Sequence, residues 1–358
     1  MRAIILLLAS VFLLMFGYNA VEAAYPLHSY KQATVVLSAL YLSLTLSNIA
    51  AGFLVSRWQA GSLIIFGPSG YLLFTLCLMT DDFLLSMVSS VVLGFTAALY
   101  WICARTIIFK GVDERRWGLA FGLLGTAAVL AGGLGPYLLL KLPYEKLLAI
   151  SFAICLLSLF PLIPLRGRWR GEKQPFAIPL SKGFVLYTAA SFCFSVSLPI
   201  LIAFIPLLAG SGEVVGEYRL VSYAIPSTLS PIGGFLYDKL GAIVIPAFSL
   251  LALVAFLNLS TNLIAWGVVL TLSFSMLFPG FQALLGKIVA EDQVAMALGF
   301  VGLVSGVGVS VNIALIGILS SNLAMLNQYL AFLILLGMVL SSCLLRSTGL
   351  KDMVSRRG

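Results

Sequence analysis

Gly234-Phe235-Leu236-Tyr237-Asp238-Lys239-Leu240-Gly241 closes one apolar run of the sequence, and Gly52-Phe53-Leu54-Val55-Ser56-Arg57 closes another, 182 residues earlier. A second pair of stretches repeats at nearly the same distance. Trp117-Gly118-Leu119-Ala120-Phe121-Gly122 opens one run, and Met296-Ala297-Leu298-Gly299-Phe300 opens another, 179 residues on. Two matches at about half the length of a 358-residue chain point to two related halves.

Between these landmarks the chain is almost wholly apolar. It is 61% hydrophobic and only 9% charged, where soluble domains carry about 25% charged residues. Such a composition excludes a soluble globular domain, a disordered chain and a disulfide scaffold. A bilayer core of about 30 Å needs about 20 apolar helical residues. Twelve runs qualify: 3–24, 33–55, 61–79, 83–108, 118–141, 146–165, 183–208, 219–237, 241–259, 263–287, 293–319 and 326–346. They are continuous, not alternating, so they predict helices and not barrel strands. The expected fold is an all-α polytopic membrane protein of twelve transmembrane helices, arranged as a 6+6 pseudo-twofold repeat. The halves are 1–165 and 183–346, joined by a basic linker over 166–182 and followed by a tail over 347–358. Arg2, an apolar stretch and Val21-Glu22-Ala23 also have the outline of a cleaved leader; the first run is read here as a retained span.

The basic residues orient these spans. With the N-terminus inside, 17 of the 21 Lys and Arg fall on cytoplasmic segments. Only Lys31, Lys141, Lys146 and Arg219 fall on outer ones. Cytoplasmic loops are enriched in this way, and a wrong helix count would blur the split. Both termini are therefore expected in the cytoplasm, with the chain in the plasma membrane. The net charge of +8 is thus topological and gives no nucleic-acid patch. The five cysteines show no metal-ligand spacing, and His28 is the single histidine. No metal and no cofactor are expected, and no catalytic cluster suggests an enzyme.

The loop stretches resemble the hallmark of the major facilitator superfamily of secondary transporters, G-x-L-x-D-R/K-x-G-R/K after helices 2 and 8. Gly234, Leu236, Asp238, Lys239 and Gly241 match the second copy. In the first, Gly52, Leu54 and Arg57 match, while Ser56 replaces the acid and Gln59 the second glycine. Gly132-Gly133-Leu134-Gly135-Pro136 looks like the Gly-Pro motif of the antiporter branch, but Leu139 and Leu140 stand where glycines are usual. The helix-4 arginine motif is missing, with Ser90 in its place. The resemblance implies that helix 5 meets helix 8 and helix 11 meets helix 2. It also implies a cytoplasmic latch, in which Asp238 faces Arg115 and Arg116, and Arg57 faces Glu291 and Asp292.

The same resemblance places the substrate cavity among helices 1, 4, 7 and 10. The polar and aromatic candidates there are Tyr18, Asn19, Tyr100, Trp101, Ser191, Phe194, Ser195, Ser197, Phe274, Ser275, Phe278 and Gln282. Glu22 is the one carboxylate well inside a span and the candidate for a coupling proton or a cationic group. Arg105 and Lys287 lie near span ends and are read as snorkelling. With no buried charge clamp, the lining suits a small neutral or amphipathic solute. The expected activity is secondary transport by alternating access, proton-coupled on family analogy, with export slightly favoured by the partial Gly-Pro motif. The expected partners are a small-molecule substrate, a coupling proton and the lipid bilayer, and the chain is expected to act as a monomer. A non-transporting receptor or scaffold of the same fold is the second reading, because the first motif copy is degraded and the helix-4 arginine is missing.

Overall fold

The structure, a computed structural model, describes residues 2–169, 178–197, 216–258, 261–319 and 323–347. The described chain is all-helical. The helices are α1 (Arg2–His28), α2 (Tyr30–Arg57), α3 (Ala60–Leu78), α4 (Phe83–Gly111), α5 (Trp117–Leu139) and α6 (Tyr144–Leu157). They continue with α7 (Lys182–Ser197), α8 (Ser230–Leu240), α9 (Val244–Asn258), α10 (Leu263–Ile288), α11 (Val294–Leu319) and α12 (Leu323–Ser347). Among the described residues, ten stretches are long and apolar enough to cross a membrane, the longest being Gly216–Asn258. The run expected over 183–208 is described only as far as Ser197, and residues 170–177 of the linker and 348–358 of the tail lie outside the described residues.

Local chemistry sets the boundaries. Asp82 accepts a hydrogen bond from the Leu85 amide at 2.9 Å and caps α4. Asn262 accepts from the Ala265 amide at 3.0 Å and caps α10, each satisfying a donor that the first turn leaves open. Gly241, the last residue of the repeated motif, has φ +74° and ψ −162°. That conformation is essentially confined to glycine, so it stops α8 and redirects the chain into α9. Ahead of α8, Arg219–Ala224 forms a π-helical turn, where the sequence predicted an ordinary span beginning at 219.

Outward-facing Leu42, Leu46, Leu84, Val88 and Phe332 are exposed. A surface this apolar belongs against lipid, where no hydrophobic force is left to drive helices together. Small residues then allow close packing instead. In the first part of the chain α1 packs on α5 and α6, α2 on α4, and α3 on α4 and α6. In the second part α7 packs on α11 and α12, α8 on α10, and α9 on α10 and α12. The two groups meet where α5 packs on α8 and α10, and where α2 packs on α11.

Candidate functional site

The seams between the two groups are built on glycine. A Cβ on Gly234 would stand 2.0 Å from the Gly118 carbonyl oxygen, and one on Gly52 would stand 2.8 Å from the Ala295 carbonyl oxygen. Any side chain there would push backbones apart. Just ahead of α8 the chain is also stitched to α5 by Thr126, whose hydroxyl donates to the Ser227 carbonyl at 2.7 Å.

At the end of the bundle where the motif lies, Asp238 accepts from the Gly118 amide at 2.9 Å and the Leu119 amide at 2.8 Å. Its carboxylate therefore sits on the N-terminus of α5, where orphan amides and the helix dipole both favour an anion. The arginines expected as its partners, Arg115 and Arg116, are exposed. The companion contact expected from the resemblance involves Arg57. Arg57 lays its guanidinium 4.4 Å from the Phe53 ring of its own helix. Glu291, one of the two acids expected opposite it, is exposed. Ser56, where the motif has its acid, turns its hydroxyl back to the Phe53 carbonyl at 2.8 Å. Lys239 stands 4.8 Å from the Phe235 ring of its own helix.

Beyond this seam lies a cavity of about 580 Å³, within the range of small-molecule sites. Trp101, Ser195, Phe278 and Gln282 line it, as do Tyr187 and Ser191. Ser191 and Ser305 hydrogen-bond across the α7–α11 contact at 3.0 Å. The Tyr187 ring stacks on Phe281 at 4.4 Å. Below them Phe109 meets Trp117 at 5.0 Å and Phe121 at 4.9 Å. A Cβ on Gly286 would strike both Phe109 and Trp117, so this aromatic cluster is closely packed against α10.

Several candidates lie elsewhere. Tyr100 is fully buried, with its hydroxyl 3.1 Å from the Ser10 hydroxyl. Phe194 is a core ring set edge-on to Phe281 at 5.3 Å. Tyr18 packs edge-on to Tyr71 at 4.8 Å. Asn19 donates to the Met15 carbonyl at 2.8 Å. None of the α1 candidates is in the cavity wall. Glu22 accepts a hydrogen bond from the Tyr41 hydroxyl, and Tyr41 does line the cavity.

Two arginines depart from expectation. Arg219, assigned by the charge count to an outer loop, is only 8% exposed and shares an electrostatic neighbourhood with Glu22 around Tyr18, Tyr41 and Tyr223. Arg105, expected to snorkel, turns inward and lines the cavity. The Nε of each is enclosed without a hydrogen-bond partner among the described residues. The expectation of a lining without buried cationic groups is therefore corrected. Trp101 and Arg105 stand four residues apart, on one helix face, and that spacing was the signal available in the sequence.

An apolar helical bundle with a solute-sized cavity between two helix groups has the build of a membrane solute transporter. The sequence profile of the Major Facilitator Superfamily matches residues 4–257, and the chain belongs to that family. Among solved structures, the E. coli fucose:proton symporter in an outward conformation is similar over 95% of this chain and 98% of its own, with a TM-score of 0.77 at 15% identity. A bacterial homologue of the iron transporter ferroportin, outward-facing, is similar over 98% of this chain and 100% of its own, with a TM-score of 0.77 at 14% identity. No curated protein matches the sequence closely enough to count as a relative.

Proposed function

We propose that the chain is a secondary active transporter that moves a small neutral or amphipathic solute by alternating access. The observation that carries this reading is the cavity set between two helix groups whose seams are glycine-lined and therefore able to slide or part. The proposed frame is twelve spans in two halves, 1–165 and 183–346, with Gly216–Asn258 counting as two spans because Gly241 breaks it. Support for the 6+6 repeat comes from packing: the helix pairs of the second group carry the labels of the first with six added. The proposed setting is a monomer in the plasma membrane with both termini cytoplasmic, as the basic-residue bias suggests.

The two similar structures named above carry unlike cargoes, so the solute must be argued from the cavity itself. Its wall is aromatic and hydroxylated, which suits a solute with an apolar body and a few polar groups. Glu22, hydrogen-bonded to a cavity-lining tyrosine, is the proposed proton carrier, and export is the proposed direction. The test is reconstitution into liposomes with imposed pH gradients and a panel of labelled solutes. Gradient-driven movement of at least one solute supports the reading. Failure to move any solute under either gradient overturns it in favour of a non-transporting membrane protein of the same fold.

A further inference from the structure

We propose that the cavity binds a monovalent organic anion with an apolar body, and that Arg105 is the residue that meets its charge; this narrows the transporter reading, on which it rests. Among the described residues, Arg105 is the charged side chain in the cavity wall, and no carboxylate lines the cavity with it. Its Nε is enclosed and has no hydrogen-bond partner among the described residues. The side chain as a whole is half-buried, and a guanidinium partly withdrawn from water without a counter-charge is unfavourable, so in a membrane such a group is retained where it has work to do.

Arg219 gives the contrast. It is more deeply buried, but it has the Glu22 carboxylate in its neighbourhood and is not in the wall. Arg57, Arg115 and Arg116 are exposed at the motif end. Arg105 alone of these places its charge in the cavity without a carboxylate beside it. Tyr187, which lines the cavity with it, is an electrostatic neighbour whose ring is held flat against Phe281. A phenol offers a hydrogen bond but no compensating charge.

The chemistry of the ligand follows from these groups. A guanidinium presents a planar fork that matches a carboxylate or sulfonate. One such fork suits one negative charge, and not a dicarboxylate or a nucleotide. Gln282, next in sequence to Phe281, supplies an amide at the same wall. Phe278, Leu298 and Val301 supply the apolar surface for the rest of the molecule. A volume of about 580 Å³ admits a phenylalkyl or medium-chain acid.

The experiment is equilibrium binding of tritiated phenylbutyrate and octanesulfonate to the purified full-length protein, each competed by its acid and by the matching uncharged phenylbutyramide or octanol. The acid is expected to compete about ten- to a hundredfold better than its neutral partner, as a charge-assisted hydrogen bond implies. Arg105→Gln should collapse that ratio to near one, and Arg105→Lys, which keeps the charge without the fork, should retain part of it. The wild-type ratio is read without any variant, so a misfolded Arg105→Gln does not shelter the idea. No saturable binding, equal competition by acid and neutral partner, or a ratio that survives in Arg105→Gln overturns the anion site. Counterflow in liposomes separates the two readings. Selective binding without counterflow leaves the anion site standing and sinks transport, whereas counterflow of acid and neutral partner at equal rates does the reverse.

Discussion

Asp238→Asn isolates the contact that joins α8 to the N-terminus of α5 at the motif end. The carboxylate now accepts from two amides of the α5 N-terminus, at 2.9 and 2.8 Å. Asparagine keeps the shape but has one acceptor oxygen, and its NH₂ must face the second amide donor. One charge-assisted bond of about 1.5–3 kcal/mol is therefore lost. The charge–dipole attraction goes with it, worth about 0.3–1 kcal/mol. The sum, about 2–4 kcal/mol, weakens only the state in which α5 and α8 touch, because the bond exists only there. The ratio of open to closed motif ends should rise roughly thirty- to several-hundredfold. The assay is a single reporter cysteine at Ala128, which lines the cavity, in a chain whose native cysteines are replaced by serine. An impermeant maleimide applied from the motif side of oriented vesicles should label Asp238→Asn at least about tenfold faster than the parent, allowing for incomplete exposure of the reporter in the open state. An unchanged labelling rate in a variant with an unchanged melting profile would refute the argument that this carboxylate biases the two states.

Three further outcomes test the packing and the polar cluster. Gly234→Ala puts a methyl group 2.0 Å from the Gly118 carbonyl oxygen and should lower the melting temperature or open the motif end, at about 1–3 kcal/mol. Gly125→Ala, whose nearest neighbour is the movable Ser230 hydroxyl at 3.2 Å, should leave both readouts near wild type. Gly241→Ala forces a side chain into a backbone conformation at φ +74° and should cost about 1–3 kcal/mol, read as a lower thermal midpoint in detergent. Glu22→Gln keeps a hydrogen bond to Tyr41 but removes the ionisable group; liposome transport should lose its dependence on an imposed pH gradient while counterflow persists.

The parts of this molecule that the sequence made legible are those set by composition and repetition. Continuous apolar runs can satisfy their backbones in lipid only as helices, so the spans are visible without any packing information. Gly118 and Gly234 are legible for a related reason: two helices that touch through backbone need glycine at the touch point, and the motif supplied one of the pair. What escaped is direction. Whether a side chain turns into the bundle depends on helix rotation, and rotation is fixed by neighbours distant in sequence. Tyr100 and Trp101 are adjacent and equally aromatic, yet Tyr100 is sealed against Ser10 while Trp101 faces the cavity. Ser195 and Phe194 divide in the same way, with Phe194 set against Phe281. Arg105 was misread because its distance from the span end allowed snorkelling, and depth alone cannot distinguish a cation reaching outward from one reaching inward. The face it shares with Trp101 could have. A basic residue one turn from an aromatic cavity candidate is better read by its helix face than by its depth. For Arg105 that rule points to the cavity, where a water-filled or anion-filled space can stabilise a charge that lipid would not.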